Sequence, residues 1–154
     1  MLQLLKKRLK NQKGLSLVEL LAVIVILGIV SAIAVPSIGG IIENSRYNAV
    51  KSDAINILNA ANLYFADDFT KTDVTVSDLK AANYLESTGG FEIKASESTI
   101  TKGAGSTSTS LTTDGGIIFS GSKTVTFTGA TISGINNDST KGSEIPDAGH
   151  TIDE

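Results

Sequence analysis

Lys13-Gly14-Leu15-Ser16-Leu17-Val18-Glu19 stands directly before an apolar run that continues to Val35, and this junction decides how the chain is read. Of the twenty-one residues 15–35, twenty carry no charge. A helix of that length rises ~31 Å, about the thickness of a bilayer's hydrocarbon core. Glu19 is the one charged residue of the run.

Working outward toward the start, Lys6, Lys7, Arg8, Lys10 and Lys13 precede Gly14 with no acid among them. Such a basic flank is held on the cytoplasmic side, so the residues after the run are expected outside. A secretory signal is the competing reading, because Ser31-Ala32-Ile33-Ala34 fits a small-x-small cleavage site that would release a soluble domain near Ile33 or Val35. It accounts neither for Gly14 at the junction nor for the carboxylate of Glu19.

An ionisable residue in a membrane segment is a functional hypothesis by default, although Glu19 lies only a turn from Leu15, where a carboxylate can snorkel to the headgroups. If the helix leaves lipid to pack among copies of itself, the acid needs a cation, since an unpaired buried charge is strongly destabilising. The helix offers no cation before Arg46. Cleavage after Gly14 would create one, the α-amino group of Leu15, largely protonated at neutral pH.

These residues, Lys13-Gly14 followed by Leu15-Ser16-Leu17-Val18-Glu19-Leu20-Leu21, resemble the class III leader junction of type IV pilins and pseudopilins. The resemblance covers residues 8–65. It implies that a membrane prepilin peptidase cuts between Gly14 and Leu15 and methylates the amino group of Leu15. The family usually begins its mature chain with phenylalanine; Leu15 departs mildly, both being large and apolar. The family's acid falls on Glu19, where it is thought to neutralise a neighbour's amino terminus during assembly, and its proline falls on Pro36. The resemblance further implies a homopolymer built with an assembly platform protein and an ATPase. Chains of this kind begin as single-pass membrane proteins and end as filaments at the cell surface.

The helix is expected to be weakest between Gly28 and Pro36, and Gly28-x-x-x-Ala32 is a small-x-x-x-small spacing suited to close helix approach. Beyond Pro36, Val50, Ala54, Ile57, Leu58, Ala61 and Phe65 recur at helical spacing, with Arg46, Lys51, Asp53, Asn56 and Asn59 largely off the stripe. One helix over residues 15–66, bent near Pro36, is predicted. Tyr64 and Phe65 read as core contacts at its end.

The chain has 154 residues, thirteen basic and sixteen acidic. Without the five leader cations, eight bases face sixteen acids, a formal side-chain charge of −8. That balance argues against direct nucleic-acid binding by the isolated subunit. No cysteine is present, which excludes disulfides and thiolate chemistry; many Gram-negative pilins close a C-terminal loop with a disulfide, so the resemblance points to the Gram-positive type.

The fold class expected is α+β, a long helix packed on a small antiparallel sheet. The organisation read from the chain is a leader at 1–14, a membrane or filament-core helix at 15–36 and its amphipathic continuation at 37–66. A connection at 67–90, a sheet at 91–135 and a polar tail at 136–154 follow. The connection should hold a short helix, residues 77–85, with Ser77 as N-cap and Leu79, Ala82 and Leu85 inward. Strands are predicted over 91–95, 98–102, 116–120, 123–128 and 130–135, most clearly where Val125 and Phe127 alternate with threonines. The low-complexity stretch 103–110 reads as a hairpin loop.

Other candidate sites are weak. Gly103-x-Gly105 lacks the third glycine of a phosphate loop. His150, the one histidine, falls in the polar tail and reads as solvated. Asp138, Glu144 and Asp147 could supply oxygens to calcium, without EF-hand spacing, and Asn137-Asp138-Ser139 matches the glycosylation triplet. No nucleophile, base and orienting group come together, so the reading is no enzyme, no cofactor and no metal. It leaves three functions: a type IV pilus subunit, a pseudopilin of type II secretion or competence DNA uptake, and a membrane-anchored binding module.

Overall fold

The computed structural model describes residues 16–105 and 107–154. Gly14 and Leu15, the residues of the expected cut, lie outside them, as do the leader cations. The chain divides into two compact units, Met1–Ile38 and Gly39–Glu154.

Helix α1 runs from Leu17 to Asp67, with Pro36 inside it and no break in its assignment. In the first unit no described residue is buried. The large apolar side chains point to open space in every direction around the axis, Leu17 at 85 %, Ile24 at 68 % and Ile33 at 71 % exposure. A helix apolar all round is not one side of a soluble core; it needs lipid or other protein to cover it. Among the described residues, α1 is the one helix long and apolar enough to cross a membrane. The expected α+β class holds.

In the second unit α1 turns amphipathic, and the whole expected stripe is buried, joined by Tyr47 and Ala60. The sheets differ from the single antiparallel one expected. The first sheet has the order β1-β2-β3, from Asp73–Thr75, Ser98–Thr101 and Ser110–Thr113, and is antiparallel throughout. The second has the order β4-β5-β6, from Ile117–Ser120, Lys123–Phe127 and His150–Ile152. In it β4 and β5 are antiparallel and β5 and β6 parallel. The sheets are joined at one seam: Leu111 bridges Ala130, Phe127 N–H donates to Thr113 Oγ1 at 3.1 Å, and Gly129 N–H donates to Thr112 Oγ1 at 3.0 Å. Phe91, Ile100, Leu111, Val125 and Phe127 close the core against α1's stripe, all fully buried.

Several expectations are overturned locally. Residues 130–135 do not form a strand: α2 (Val76–Ala81) has a counterpart here in α3 (Ile132–Asn137), whose N-cap Thr131 accepts from Gly134 N–H. The cap outweighs the β-branched composition that suggested a strand. Residues 91–95 lie mainly in a 3-10 helix, Gly89–Lys94. It starts where Gly89 takes φ +54° against Asp53, leaving no room for a Cβ, and Gly90 N–H donates to the Asp53 carboxylate at 2.9 Å. The cap of α2 is Thr75, accepting from Asp78 N–H, not Ser77. That helix stops at Ala81, with Asn83 left-handed at φ 63°; Leu79 is buried, while Ala82 is exposed.

Candidate functional site

The N-terminal junction is built by a reciprocal pair of hydrogen bonds. Ser16 N–H donates to Glu19 Oε2 at 2.7 Å, and Glu19 N–H donates to Ser16 Oγ at 3.2 Å. Ser-x-x-Glu in this arrangement is a capping box, which satisfies two of the donors that a helix start leaves without partners. The first intrahelical bond follows from Leu20 N–H to the Ser16 carbonyl at 3.1 Å. Glu19 is therefore more than an isolated acid on an apolar rod: its carboxylate already caps its own helix. The signal was legible as Ser16-x-x-Glu19, and reading Glu19 only as a charge missed it. Pro36 lies within α1, and a Cβ on Gly28 would meet nothing within 4 Å, so the small face of Gly28 and Ala32 is open.

In the second unit a polar cluster gathers residues that are far apart in sequence. Asp138 Oδ2 accepts from Tyr47 Oη at 2.6 Å and from Lys51 Nζ at 3.1 Å, and its Oδ1 lies 3.1 Å from His150 Nε2. Lys51 Nζ also donates to the Asp138 carbonyl at 2.6 Å. The side chains of Lys51 and Asp138 are only 13 % and 10 % exposed, so solvent screens the pair weakly. Burial alone pushes the Asp138 carboxyl up, but hydrogen bonds from Tyr47, Thr140, Lys51 and His150 outweigh it and hold the group well below the usual carboxylate range. Burial, then the bond to Asp138, pushes the Tyr47 phenol up, so it stays a donor.

One turn earlier on α1, Lys123 Nζ meets Glu43 Oε2 at 2.9 Å and the Ser143 carbonyl at 3.2 Å, while Ser143 N–H donates to Asn44 Oδ1 at 2.8 Å. Residues 138–143 are thus strapped to α1 by side chains at 43, 44, 47 and 51. Gly142 is where the strap comes closest: a Cβ would lie 2.6 Å from the Glu43 carbonyl and 2.7 Å from Tyr47 Cβ. Gly142→Ala is expected to destabilise this unit by about 1–3 kcal/mol, as an overpacked contact does, read as a lower midpoint in urea with an unchanged m-value.

The C-terminal segment is correspondingly no solvated tail. Ile145 and Ile152 are buried, and His150 opens β6 with its ring edge-on to Tyr47 at 6.2 Å between centroids. The three acids weighed for calcium do not converge: Asp138 faces the cluster, Glu144 pairs with Lys141 at 3.0 Å, and Asp147 accepts from Ser122 at 2.8 Å. Among the described residues no group of three His, Cys, Asp or Glu is placed to hold a metal. Gly103 and Gly105 lie in the β2–β3 hairpin, Gly105 at φ +65°. Asn137 is exposed at the end of α3.

Residues 9–35 match the prokaryotic N-terminal methylation motif. The chain therefore carries a type IV pilin-like prepilin leader joined to an apolar helix. No curated protein and no solved structure matches it. The motif is a structural pilin feature rather than an enzyme family, and it implies processing by a prepilin peptidase and assembly into a pilus-like polymer.

Proposed function

We propose that this chain is the precursor of a type IV pilus subunit, of the Gram-positive type. A prepilin peptidase adds water across the Gly14–Leu15 amide, leaving the Gly14 carboxylate and a free Leu15 amine that is then methylated. The mature helix moves from the membrane into a filament of identical subunits with the second unit outside, and an assembly platform protein and an ATPase drive the transfer. The observation that supports this most is the helix itself: a methylation motif runs into an apolar rod with no buried residue over 16–38. A signal peptide would be discarded, and a rod without partners would remain in lipid.

Within the filament Glu19 would meet the Leu15 amine of a neighbouring subunit, and Pro36 would mark the stretch where the helix yields most easily. Mass spectrometry of the exported protein's amino terminus tests the reading. The expected result is a chain beginning at N-methylated Leu15; a terminus near Ile33, or an intact leader, rejects it. Replacing Gly14 with a bulky residue is expected to leave the full precursor mass.

A further inference from the structure

The turn that carries the chain from the first sheet to the second holds its one Asp-Gly pair, Asp114-Gly115. The turn joins the end of β3 at Thr113 to the start of β4 at Ile117. Its path demands glycine twice: Gly115 takes φ +90°, and a Cβ on Gly116 would lie 2.5 Å from Thr124 Cβ. The glycine that permits the turn also removes the steric shield from the amide nitrogen after Asp114. Both residues of the pair are exposed. Among the described residues nothing accepts from Gly115 N–H, and no hydrogen bond or ion pair engages the Asp114 carboxylate. The groups around them are held, Asp114 N–H by the Glu97 carbonyl at 3.2 Å and the Gly115 carbonyl by Thr113 Oγ1 at 2.9 Å. Asp138-Ser139 is the contrast, its carboxylate taken up by Tyr47, Lys51 and His150.

We propose that Asp114-Gly115 is a site of spontaneous backbone isomerisation, a modification that this fold leaves open here and closes at Asp138-Ser139. The Gly115 nitrogen bonds to Asp114 Cγ, the amide proton and the hydroxyl of the protonated carboxyl leave together as water, and a five-membered imide forms. Water then adds back. Where it opens the imide at the former main-chain carbonyl carbon, the chain runs on through Cβ and Cγ, and the product is isoaspartate of unchanged mass. Water is the only other reactant, given up in the first step and taken back in the second. The main chain between Thr113 and Gly115 is then one methylene longer, and that length falls on the seam between the sheets. The buried Thr113 hydroxyl accepts from Phe127 N–H at 3.1 Å and donates to the Gly115 carbonyl. A longer link carries that carbonyl away and leaves the hydroxyl without its acceptor, so the modified chain is less stable where the sheets meet. None of this depends on the pilus reading.

The test ages the purified full chain in detergent, one sample folded and one unfolded in guanidinium. Isoaspartate at residues 114 and 138 is counted over time by peptide mapping with electron-transfer fragmentation, which tells the equal-mass isomers apart. At residue 114 the ratio of folded to unfolded rate is expected to be about one, because a turn that needs no opening reacts as the unfolded chain does. At residue 138 the folded rate should fall on the order of a hundredfold, since that carboxylate is freed only by opening of the unit. A ratio at residue 114 below about one third marks the fold as a shield and overturns the proposal. Equal ratios at 114 and 138 overturn it too, showing that the fold selects neither site. Asp114→Glu, whose imide would need a six-membered ring, is expected to abolish the isomer in that peptide; an isomer that persists there places the reaction at another residue. Aged wild type challenged with protease near its unfolding midpoint should lose the isomerised chains first. Survivors with the isomer fraction of the starting sample overturn the link to the seam.

Discussion

Asp138→Ala is expected to cost the second unit about 3 kcal/mol, the range for breaking a poorly solvated ion pair by deleting one partner, and to lower Tm by roughly 10–15 °C in a unit of this size. The reason is what the alanine leaves behind. Lys51 Nζ loses its carboxylate partner at a side chain only 13 % exposed, and the Tyr47 hydroxyl loses its acceptor in the same step. The lost attraction is the smaller part; the larger is a phenol with no acceptor and an ammonium left with only the residue 138 carbonyl, both in poor solvent. Pairing Asp138→Leu with Lys51→Met should return much of the loss, because an apolar pair of similar volume avoids burying a charge at all. A double replacement as unstable as the sum of the singles would show that the two residues act separately.

The same group sets an acid limit. Asp138 has its carboxyl held below the ordinary range, so the stability it contributes is fully present above the unfolded pKa of about 3.9 and is lost as pH falls toward the lower folded value. The difference in Tm between wild type and Asp138→Asn should therefore stay flat from pH 7 to about 5 and narrow below about 4. A difference that already shrinks between pH 7 and 5 would place its origin in another group. In a chain without cysteine, this cluster does by charge and hydrogen bonding what a covalent bridge does elsewhere, fastening the C-terminal segment to the long helix.

The long helix was legible in sequence, and the cluster was not, for physical reasons. Val50, Ala54, Ile57, Leu58, Ala61 and Phe65 repeat at a period that only a helix brings to one side, and every one of them is buried. Lys51 and Tyr47 carry no such mark. Their partner Asp138 is 87 and 91 residues away, and nothing local distinguishes a lysine that will be buried from one that will be solvated. Strand β6 escaped because three residues with one buried position, Ile152, give no alternation. Residues 131–135 misled in the opposite sense: Thr-Ile-Ser-Gly-Ile suits a strand by composition, yet Thr131 caps a helix. At the N-terminal site the pattern was present as Ser16-x-x-Glu19, but the charge of the acid, set in an apolar run, drew attention from the backbone donors beside it.

The cap that Glu19 makes, set beside the charge pairing proposed for it, leads to the other large effect. Glu19→Ala and Glu19→Gln both remove the charge, whereas only the alanine also removes the acceptor for Ser16 N–H. If the carboxylate's task in assembly is to meet the Leu15 amine of a neighbour, both variants should lose filaments by on the order of a hundredfold or more, since each leaves a cation unpaired in a dry helical bundle. Membrane insertion should survive in both, because the apolar run is untouched. Glu19→Asp separates charge from reach: it keeps the charge on a side chain one methylene shorter, and partial filament yield is the expected outcome. Sheared filaments counted by electron microscopy against membrane-bound subunit give the ratio. If Glu19→Gln assembles like wild type while Glu19→Ala does not, the acid serves assembly through its cap alone and the pairing of charges between subunits is wrong. If both assemble normally, neither the cap nor the charge of Glu19 matters to the filament.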